Sequence, residues 1–369
     1  MWETVKLSDV CELAYGKALD KGERLELGGY PAYGANGVKT QSKKPLWNKP
    51  SIIIGRKGSA GEINKVTEPF WALDVTYYTK IDESVISLDY LFYVLTTLNL
   101  PALARGVKPG INRNDVYEQT VPLPPLAEQQ RIVAKLDAAF AEIDRLEQTV
   151  DKAITLTDEL FLQVLDKAFA EISPESVKEV GDFAEHCLGK MLDKKKNKGV
   201  LHPYLRNLNV RWFKVTTDDL LEMRIDDAEH ERYSTKKGDL LICEGGYPGR
   251  CAIWEHDEPL YIQKALHRVR CREPEYNKWL MYYLYYLDKT DRLKKYFTGS
   301  GIQHFTGKAL NKLPVPLPDK HAAVNWIVTF DQARAKTTRL NKINIKKKEQ
   351  LNSLRGALLK SHIKAGEAA

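Results

Sequence analysis

The chain has 369 residues, more than one ordinary hydrophobic core accommodates, and this length predicts two domains with connecting segments. Lysine and arginine number 56 against 49 aspartates and glutamates, which gives a formal net charge of +7. Such a moderate excess argues against a uniformly cationic nucleic-acid coat and suits local phosphate-binding surfaces. Charge alone also fits a soluble enzyme with an incidental excess of lysine.

The cysteine and hydropathy patterns indicate a cytoplasmic protein that does not enter a membrane. The five cysteines are scattered and form no Cys-x-x-Cys pair, which is typical of a reducing compartment. The first residues lack the apolar core of a signal peptide. The longest nonpolar stretch, residues 279–287, is too short to cross a bilayer.

In the first half of the chain, the pattern predicts a mixed α/β domain rich in strands. Residues 33–38 carry an Asn-Gly turn signal, and residues 51–54 form a short β-branched run closed by glycine. An amphipathic helix is expected over residues 88–97. A long helical pattern without proline or glycine then covers residues 128–170.

The second half repeats this order with different details. Strand-like segments cover residues 239–242, 250–254 and 266–271, and a glycine-rich loop separates the first two. A helix is expected over residues 278–287, and a second long helical pattern covers residues 322–364. Both halves are therefore interpreted as α/β domains of the α+β kind, each followed by a long helix.

An internal repeat links the two halves and indicates the architecture more firmly than local propensity does. Val-Pro-Leu-Pro at residues 121–124 recurs at residues 315–318. Three further segments match more loosely: 7–17 with 180–190, 51–58 with 238–246, and 110–112 with 301–303. The chain is thus predicted to hold two domains in tandem, related by a pseudo-twofold internal repeat.

Each long helix carries apolar residues at heptad-like spacing and therefore needs a partner along its length. The stripe of the first helix starts at Val133, and a weaker, more polar stripe that includes Leu340 and Leu354 starts at Trp326. Pairing of the two helices in antiparallel orientation covers both stripes. At 1.5 Å per residue, this predicts a coiled-coil rod of about 65–70 Å with one domain at each end.

The segments before the two helices resemble a known family. Residues 108–116, Lys-Pro-Gly-Ile-Asn-Arg-Asn-Asp-Val, and residues 121–133, Val-Pro-Leu-Pro-Pro-Leu-Ala-Glu-Gln-Gln-Arg-Ile-Val, precede and begin the first helix. They resemble the junction between a target-recognition domain and a conserved helix in specificity subunits of type I restriction-modification systems. Residues 299–318 resemble the second junction, which departs from the first at residues 319–323, Asp-Lys-His-Ala-Ala.

The resemblance implies a DNA-binding subunit without catalytic activity. In that family, each globular domain reads one half of a bipartite site on double-stranded DNA, and the helical rod sets the spacer. Two methyltransferase subunits that use S-adenosylmethionine to methylate adenine dock on such a subunit. Two restriction-translocase subunits that use ATP and Mg²⁺ complete the assembly. No cofactor is expected in this chain itself.

The repeat and the resemblance together predict four segments. They are a first target-recognition domain over residues 1–122, a central conserved helix over 123–172, a second target-recognition domain over 173–316 and a C-terminal conserved helix over 317–369.

No catalytic motif is found in the sequence. It lacks the Asn/Asp-Pro-Pro-aromatic tetrad of an adenine methyltransferase and the Gly-x₄-Gly-Lys-Ser/Thr loop of an ATPase. The glycine-rich residues 55–61 have the wrong spacing for a nucleotide loop and are typical of a turn with a phosphate-facing edge. Cys251, His256, His267 and Cys271 form a conceivable zinc pattern, but alternation over residues 266–271 favours buried strand residues.

Loops in which glycine lets the backbone approach a duplex carry the candidate DNA contacts. For any single residue, a solvated loop position or a turn former is an equally good interpretation. The matching places in two copies favour DNA binding by the group. The lysine run at residues 194–198 predicts either a phosphate-contacting loop or a solvated, disordered one. The candidates are Tyr33, Asn36, Arg56, Lys57, Lys108, Asn112, Lys190, Lys194, Lys195, Lys196, Arg206, Asn207, Tyr247, Arg250, Gln303 and His304.

Two other functional classes remain open. A stand-alone sequence-specific DNA-binding protein of the repressor type would usually carry a helix-turn-helix and dimerise to obtain two half-sites. Duplication within this one chain already supplies two readers that differ from each other. A helical scaffold without a DNA role would not need glycine-rich basic loops in both domains.

Overall fold

The computed structural model describes residues 2–193 and 195–364. The chain divides into two compact units, the first formed by residues 1–150 with 345–369 and the second by residues 151–344. Each unit contains one mixed α/β domain and a part of each long helix. No helix among the described residues is both long and apolar enough to cross a membrane.

The domain of the first unit is built mainly from short antiparallel strands. Its elements are β1 (Glu3–Lys6), α1 (Leu7–Val10), β2 (Cys11–Tyr15), β3 (Arg24–Leu25), β4 (Tyr30–Gly34), β5 (Gly37–Ser42), β6 (Ser51–Gly55), β7 (Ile63–Val66), β8 (Trp71–Ala72), β9 (Thr76–Ile81), α2 (Leu88–Thr97), α3 (Arg113–Tyr117) and β10 (Thr120–Leu123). The long helix α4 (Leu126–Ala170) follows.

Three sheets organise this domain. One has the strand order β2-β9-β6-β7, a second has the order β3-β5-β4-β8, and β1 pairs with β10. The predicted strand at residues 51–54 is confirmed as β6, all of whose residues are buried. The Asn-Gly signal is confirmed as the turn between β4 and β5, where Gly37 has a φ of 101° that favours glycine.

The domain of the second unit follows the same order. Its elements are β11 (Val177–Glu179), α5 (Val180–Phe183), β12 (Ala184–Leu188), β13 (Val200–Leu205), β14 (Val210–Arg211), β15 (Lys214–Val215), β16 (Leu221–Ile225), α6 (His230–Tyr233), β17 (Leu240–Cys243), β18 (Cys251–Ile253), β19 (Tyr261–Ile262), β20 (Leu266–Cys271), α7 (Glu275–Lys289), α8 (Gly307–Asn311) and β21 (Pro314–Pro316). The second long helix, α9 (Lys320–Lys364), follows.

The sheets of the second unit confirm the internal repeat. The order β12-β20-β17-β18 corresponds to β2-β9-β6-β7, and the pair β11–β21 corresponds to β1–β10. The sheet β16-β13-β19 corresponds to β5-β4-β8, with the same parallel pairing of its last two strands. The small hairpin β14–β15 lies between β13 and β16 and lacks a counterpart among the described strands of the first unit.

The two long helices pair in antiparallel orientation within each unit. In the first unit, Asp144 of α4 forms an ion pair with Arg355 of α9. In the second unit, Asn341 donates a 2.7 Å hydrogen bond to Asp158. From Asp144 to Asp158 the residue number rises along α4, whereas from Arg355 to Asn341 it decreases along α9. The helices therefore run in opposite directions, and the predicted antiparallel coiled coil is confirmed.

The buried stripe of α9 differs from the predicted one in its middle. Leu340 and Leu354 are 48% and 46% exposed, although the heptad count placed both in the seam. Asn341 and Arg355, one position later, face α4 and contact its carboxylates. At these turns, polar contacts with α4 carboxylates therefore take the place of the apolar contacts that the leucines were expected to make.

Each helix pair also completes the core of the domain in its own unit. In the second unit, Phe330 is fully buried, and its ring lies 5.9 Å from Phe169 and 5.7 Å from Trp279, centroid to centroid. In the first unit, Leu136 of α4 and Leu359 of α9 belong to the same core as β6 and α2. The long helices are therefore part of both hydrophobic cores.

Replacing Phe330 by alanine is expected to lower the free energy of unfolding of the second unit by about 3–5 kcal/mol, because a fully buried ring is lost. Leu340→Ala, the control in the same helix, should change it by about 0.5 kcal/mol or less. Urea unfolding followed by tryptophan fluorescence measures both variants. Equal losses would contradict this assignment of the buried stripe.

Candidate nucleic-acid interface

A glycine-rich loop follows the central strand of each domain. We call these loops, residues 55–62 and 243–250, the glycine loops. In the first, Gly61 donates from its backbone nitrogen to the carbonyl of Gly55 at 2.8 Å. In the second, Gly249 donates to Cys243 at 2.8 Å. Both donors have positive φ, 87° and 84°, so the two loops share one conformation.

A second segment lies against each glycine loop, and we call these segments, residues 105–112 and 298–306, the junction segments. Ile111 donates from its backbone nitrogen to the Arg56 carbonyl at 2.9 Å. In the same way, Phe305 donates to the Glu244 carbonyl at 2.8 Å. These paired contacts make Arg56 equivalent to Glu244, and Ile111 equivalent to Phe305.

One side chain of the underlying sheet holds each junction segment in place. The Tyr77 hydroxyl donates to the carbonyl of Ile111 at 3.0 Å. At the equivalent position of β20, His267 Nε2 lies 2.9 Å from the carbonyl of Phe305. Two different residue types thus make the same contact, which ties the junction segment to the sheet.

This geometry corrects one part of the sequence repeat. Residues 110–112 were matched to 301–303 by their shared Gly-Ile dipeptide, but the backbone contacts match them to residues 304–306. Asn112 caps α3 by accepting from the nitrogen of Asn114, and Thr306 caps α8 by accepting from Ala309. The dipeptide match fails because residues 299–302 lie in the turn enclosed by the Thr298–His304 bridge. This turn comes before residues 304–306, which are the true equivalents.

A third loop reaches the glycine loop in each domain. In the first unit, it is the turn after β4, since a Cβ at Gly55 would lie 3.0 Å from that of Ala35. In the second unit, the connection after β13 takes its place. Asn207 donates from Nδ2 to the Gly245 carbonyl at 3.1 Å, and its own carbonyl accepts from Arg250 at 2.9 Å.

Most of the candidates in the first unit therefore meet in one loop cluster. The exposed members are Asn36, Lys57, Lys108 and Asn112. Arg56 is half-buried and donates to the Asp74 carbonyl at 3.0 Å. Tyr33 lies behind them, because its ring packs edge-on against Phe70 at 6.2 Å.

Sequence reasoning missed two residues of this cluster, Tyr15 and Arg113. The Tyr15 ring is 47% exposed, and the guanidinium carbons of Arg56 and Arg113 lie 5.2 Å and 5.0 Å from its centre. Exposed aromatic rings with arginine guanidinium groups close to them are typical of nucleic-acid-binding surfaces. Both residues lie inside segments that the sequence analysis singled out, 7–17 and 108–116, but only the fold brings together residues that are 98 positions apart.

The candidates in the second unit also form a cluster around the glycine loop. Arg250 lies over the Tyr247 ring at 5.2 Å, and the Tyr247 side chain is exposed. His304 Nδ1 lies 3.0 Å from Glu244 Oε2. Gln303 is exposed, whereas Arg206 forms an ion pair with Asp219 at 2.7 Å.

The remaining lysine candidates lie elsewhere. Lys190 has a side chain that is only 7% exposed, and its ammonium group forms an ion pair with Glu229, so it is not available to DNA in this structure. Lys195 and Lys196 are exposed in a turn whose nitrogens donate to Asp193. Lys194 lies outside the described residues.

Three of the four residues considered for zinc are part of the core, and the fourth, His256, is exposed. Cys251 and His267 are fully buried, and the described residues hold no group of three or more metal-ligating side chains. Burial raises the pKa of the Cys11 thiol to about 12 and that of Cys243 to about 11. These thiols stay protonated near neutral pH, which makes them weak nucleophiles and weak metal ligands.

The start of each long helix also differs between the units. The buried Gln129 amide accepts from the Ser87 nitrogen at 2.8 Å and donates to the carbonyls of Val85 and Pro124. At the equivalent position in α9, Ala323 is buried, and Asp319 caps the helix by accepting from Ala322 at 3.0 Å. The sequence difference at residues 319–323 thus replaces the hydrogen bonds of a buried glutamine with an aspartate N-cap.

A sequence model of the family described as the type I restriction modification DNA specificity domain matches residues 1–156 and 174–351. The chain belongs to this family. Specificity subunits of type I restriction-modification systems recognise DNA and are not themselves catalytic, so this chain is a DNA-recognition subunit of such a system.

Relatives and solved structures agree with this membership. A Haemophilus influenzae protein named as a type I restriction enzyme specificity subunit is 24% identical over 317 residues, 82% of this chain and 80% of that protein. The Escherichia coli EcoDI specificity subunit is 36% identical over 91 residues, which cover 25% of this chain and only 20% of that protein.

Two solved structures share the fold. A chain from a study of the assembly and conformational transition of the type I R-M system has a TM-score of 0.77 and 18% identity, with 98% of this chain and 97% of that chain covered. The HsdS subunit from Thermoanaerobacter tengcongensis has a TM-score of 0.56 and 18% identity, with 98% and 96% covered.

The buried His267 should make the second unit sensitive to acid. Burial lowers the pKa of His267, so the folded state resists its protonation, and stability is fully present above the unfolded pKa of about 6.5. Lowering the pH from about 7.5 to about 5.5 should therefore reduce the free energy of unfolding measured in urea. His267→Gln should flatten this dependence, whereas the exposed control His256→Gln should not. An unchanged slope in His267→Gln would contradict this role.

Proposed function

We propose that each domain reads one half of a bipartite site on double-stranded DNA through its own loop cluster. The observation that carries this proposal is the repeated loop geometry: two glycine loops of one conformation present different side chains. Loops with matching backbone hydrogen bonds and different side chains suit two readers of different DNA words. The same duplication speaks against a repressor-type protein that dimerises to obtain two half-sites.

The proposed readers are the target-recognition domains over residues 1–122 and 173–316, with conserved helices over 123–172 and 317–369. The contact residues keep the members of the two loop clusters and add the two residues that the fold brings in. Lys190 is left out because it is buried and paired, Tyr33 because its ring packs against Phe70, and Arg206 because it pairs with Asp219. Lys195 and Lys196 are left out because they do not belong to either cluster, and Lys194 because it lies outside the described residues. The proposed contacts are Tyr15, Asn36, Arg56, Lys57, Lys108, Asn112, Arg113, Asn207, Tyr247, Arg250, Gln303 and His304.

The proposed partners are two methyltransferase subunits and, in the complete assembly, two restriction-translocase subunits. Family membership supports an assembly of this kind. S-adenosylmethionine, ATP and Mg²⁺ would act in those partners. The long helices offer a rigid attachment surface, because each is one continuous element of 45 residues.

Neutralising Lys57 and Lys108 together should weaken binding to all DNA sequences alike, since exposed ammonium groups contact phosphates without reading bases. The slope of log K against log salt should fall by about two in magnitude. The assay is salt-dependent binding of the complex with its methyltransferase to cognate and random duplexes. The control pair Lys152→Ala and Lys336→Ala, on exposed helix positions, should leave the slope unchanged. Loss on cognate DNA alone would contradict a phosphate role.

We also propose that the paired helices set the gap between the half-sites. Four residues inserted after Gln148 and four after Leu351 lengthen both helices by about 6 Å and add roughly one turn, which preserves the buried stripes. At about 3.4 Å per base pair, the gap should grow by one or two base pairs with both half-site words unchanged.

Sequencing of the methylated sites made by the complex tests this spacer. Paired two-residue insertions are the control, because they turn the stripe by about 200° and expose residues such as Val150, which should abolish activity. An unchanged gap with the four-residue insertions would mean that the helices are not the spacer.

A further inference from the structure

The two glycine loops carry exchanged charges at equivalent positions. Arg56 and Glu244 are equivalent because each carbonyl accepts from the junction segment. Glu62 and Arg250 are equivalent because each carbonyl accepts from the residue that opens the loop, at 2.7 Å and 2.8 Å. One loop therefore begins with a cation and ends with an anion, and the other has the reverse order.

The first unit presents guanidinium donors at this place. Arg56 and Arg113 flank the exposed ring of Tyr15. In the second unit, the strand register places Leu188 at the position of Tyr15, since these residues pair with His267 and Tyr77 respectively. Gly307 opens α8 where Arg113 opens α3, and Glu244 takes the position of Arg56, so the second unit lacks both guanidinium groups.

The second unit presents a carboxylate instead. The Glu244 side chain is 20% exposed, and His304 Nδ1 lies 3.0 Å from its Oε2. Among the described residues, no hydrogen bond engages the other carboxylate oxygen, Oε1, which is not among the buried polar atoms without a partner. This leaves an acceptor available at the centre of the loop cluster.

The glycine beside Glu244 makes room for this arrangement. A Cβ at Gly245 would lie 3.2 Å from the His304 ring, closer than ordinary van der Waals contact. In the first unit, the position of His304 is occupied by Gly110, and the position of Gly245 by Lys57. The glycine thus leaves space for the imidazole that contacts the Glu244 carboxylate.

A carboxylate on a DNA-binding surface repels phosphate, so its use is confined to base edges that donate a hydrogen bond. In the major groove, the cytosine N4 amino group donates to glutamate, whereas guanine O6 and N7 accept from arginine. We propose that Glu244, positioned by His304, selects an amino-bearing base, cytosine foremost, in the half-site of the second unit. Arg56 takes the opposite role and selects guanine in the half-site of the first unit. This inference rests on the proposed function above.

The test uses the chain in complex with its methyltransferase and a randomised duplex library, with methylated products sequenced. Wild type should show a cytosine at one position of the half-site read by the second unit. Glu244→Gln should reduce the preference at that position alone by about 5- to 150-fold, the range that 1–3 kcal/mol of discrimination corresponds to. Arg56→Gln should relax a guanine in the other half-site. Glu258→Gln, an exposed acidic control in the same unit, should change neither.

Two further variants keep the result interpretable if Glu244→Gln folds poorly. Glu244→Asp keeps the acceptor on a shorter stem and should weaken the preference at the same position. His304→Gln should also relax that position and no other, a readout that a purely structural role would not produce.

The outcomes separate this inference from the function it rests on. A wild-type bipartite motif that survives Glu244→Gln unchanged, or that relaxes at guanine or thymine, overturns the charge assignment and leaves bipartite reading intact. A wild-type complex that yields no bipartite motif overturns both.

Discussion

The junction carbonyl is the constraint on which both loop clusters depend. It belongs to Ile111 in the first unit and Phe305 in the second, and each accepts a hydrogen bond from the central sheet. The amide of the same residue donates to the first residue beyond the central strand. The backbone of this one residue thus connects the sheet, the glycine loop and the segment that leads into the long helix.

Because these contacts are made by the backbone, the residue types at the two equivalent positions are free to differ. Arg56 and Glu244 make the same carbonyl contact although their charges are opposite. The sheet side of the contact tolerates change as well, since a phenol and an imidazole both reach the carbonyl. A recognition surface can therefore change its chemistry while its support stays constant, provided that glycines remain at the positions with positive φ.

Regular spacing made much of this fold predictable from the sequence. The strands at residues 51–54 and 266–271 and the antiparallel long helices follow from β-branched runs and heptad spacing. The heptad spacing predicted the wrong buried residue where a specific polar contact forms. Leu340 lies outside the seam because Asn341 pairs with Asp158. The site was partly predictable, since its loops are glycine-rich. Tyr15 and Arg113 could not be paired from the sequence, because they meet only where α3 packs near β2, with Arg113 donating to the Leu13 carbonyl at 3.4 Å. The burial of Lys190 depends on Glu229, 39 positions away, and no local signal reveals that pair.

The pairing of its first and last strands should make each domain tolerant of insertions. Glu3 lies opposite Leu123 in one domain, and Val177 lies opposite Pro316 in the other, so the chain enters and leaves each domain at a single point. Segments inside that closed path can lengthen without displacing the helix that follows. The hairpin β14–β15 is such an addition, inserted beside the glycine loop while the junction contacts stay the same. New reading surface can therefore be added from within a domain, because the strand pair at its base keeps the path into the following helix the same.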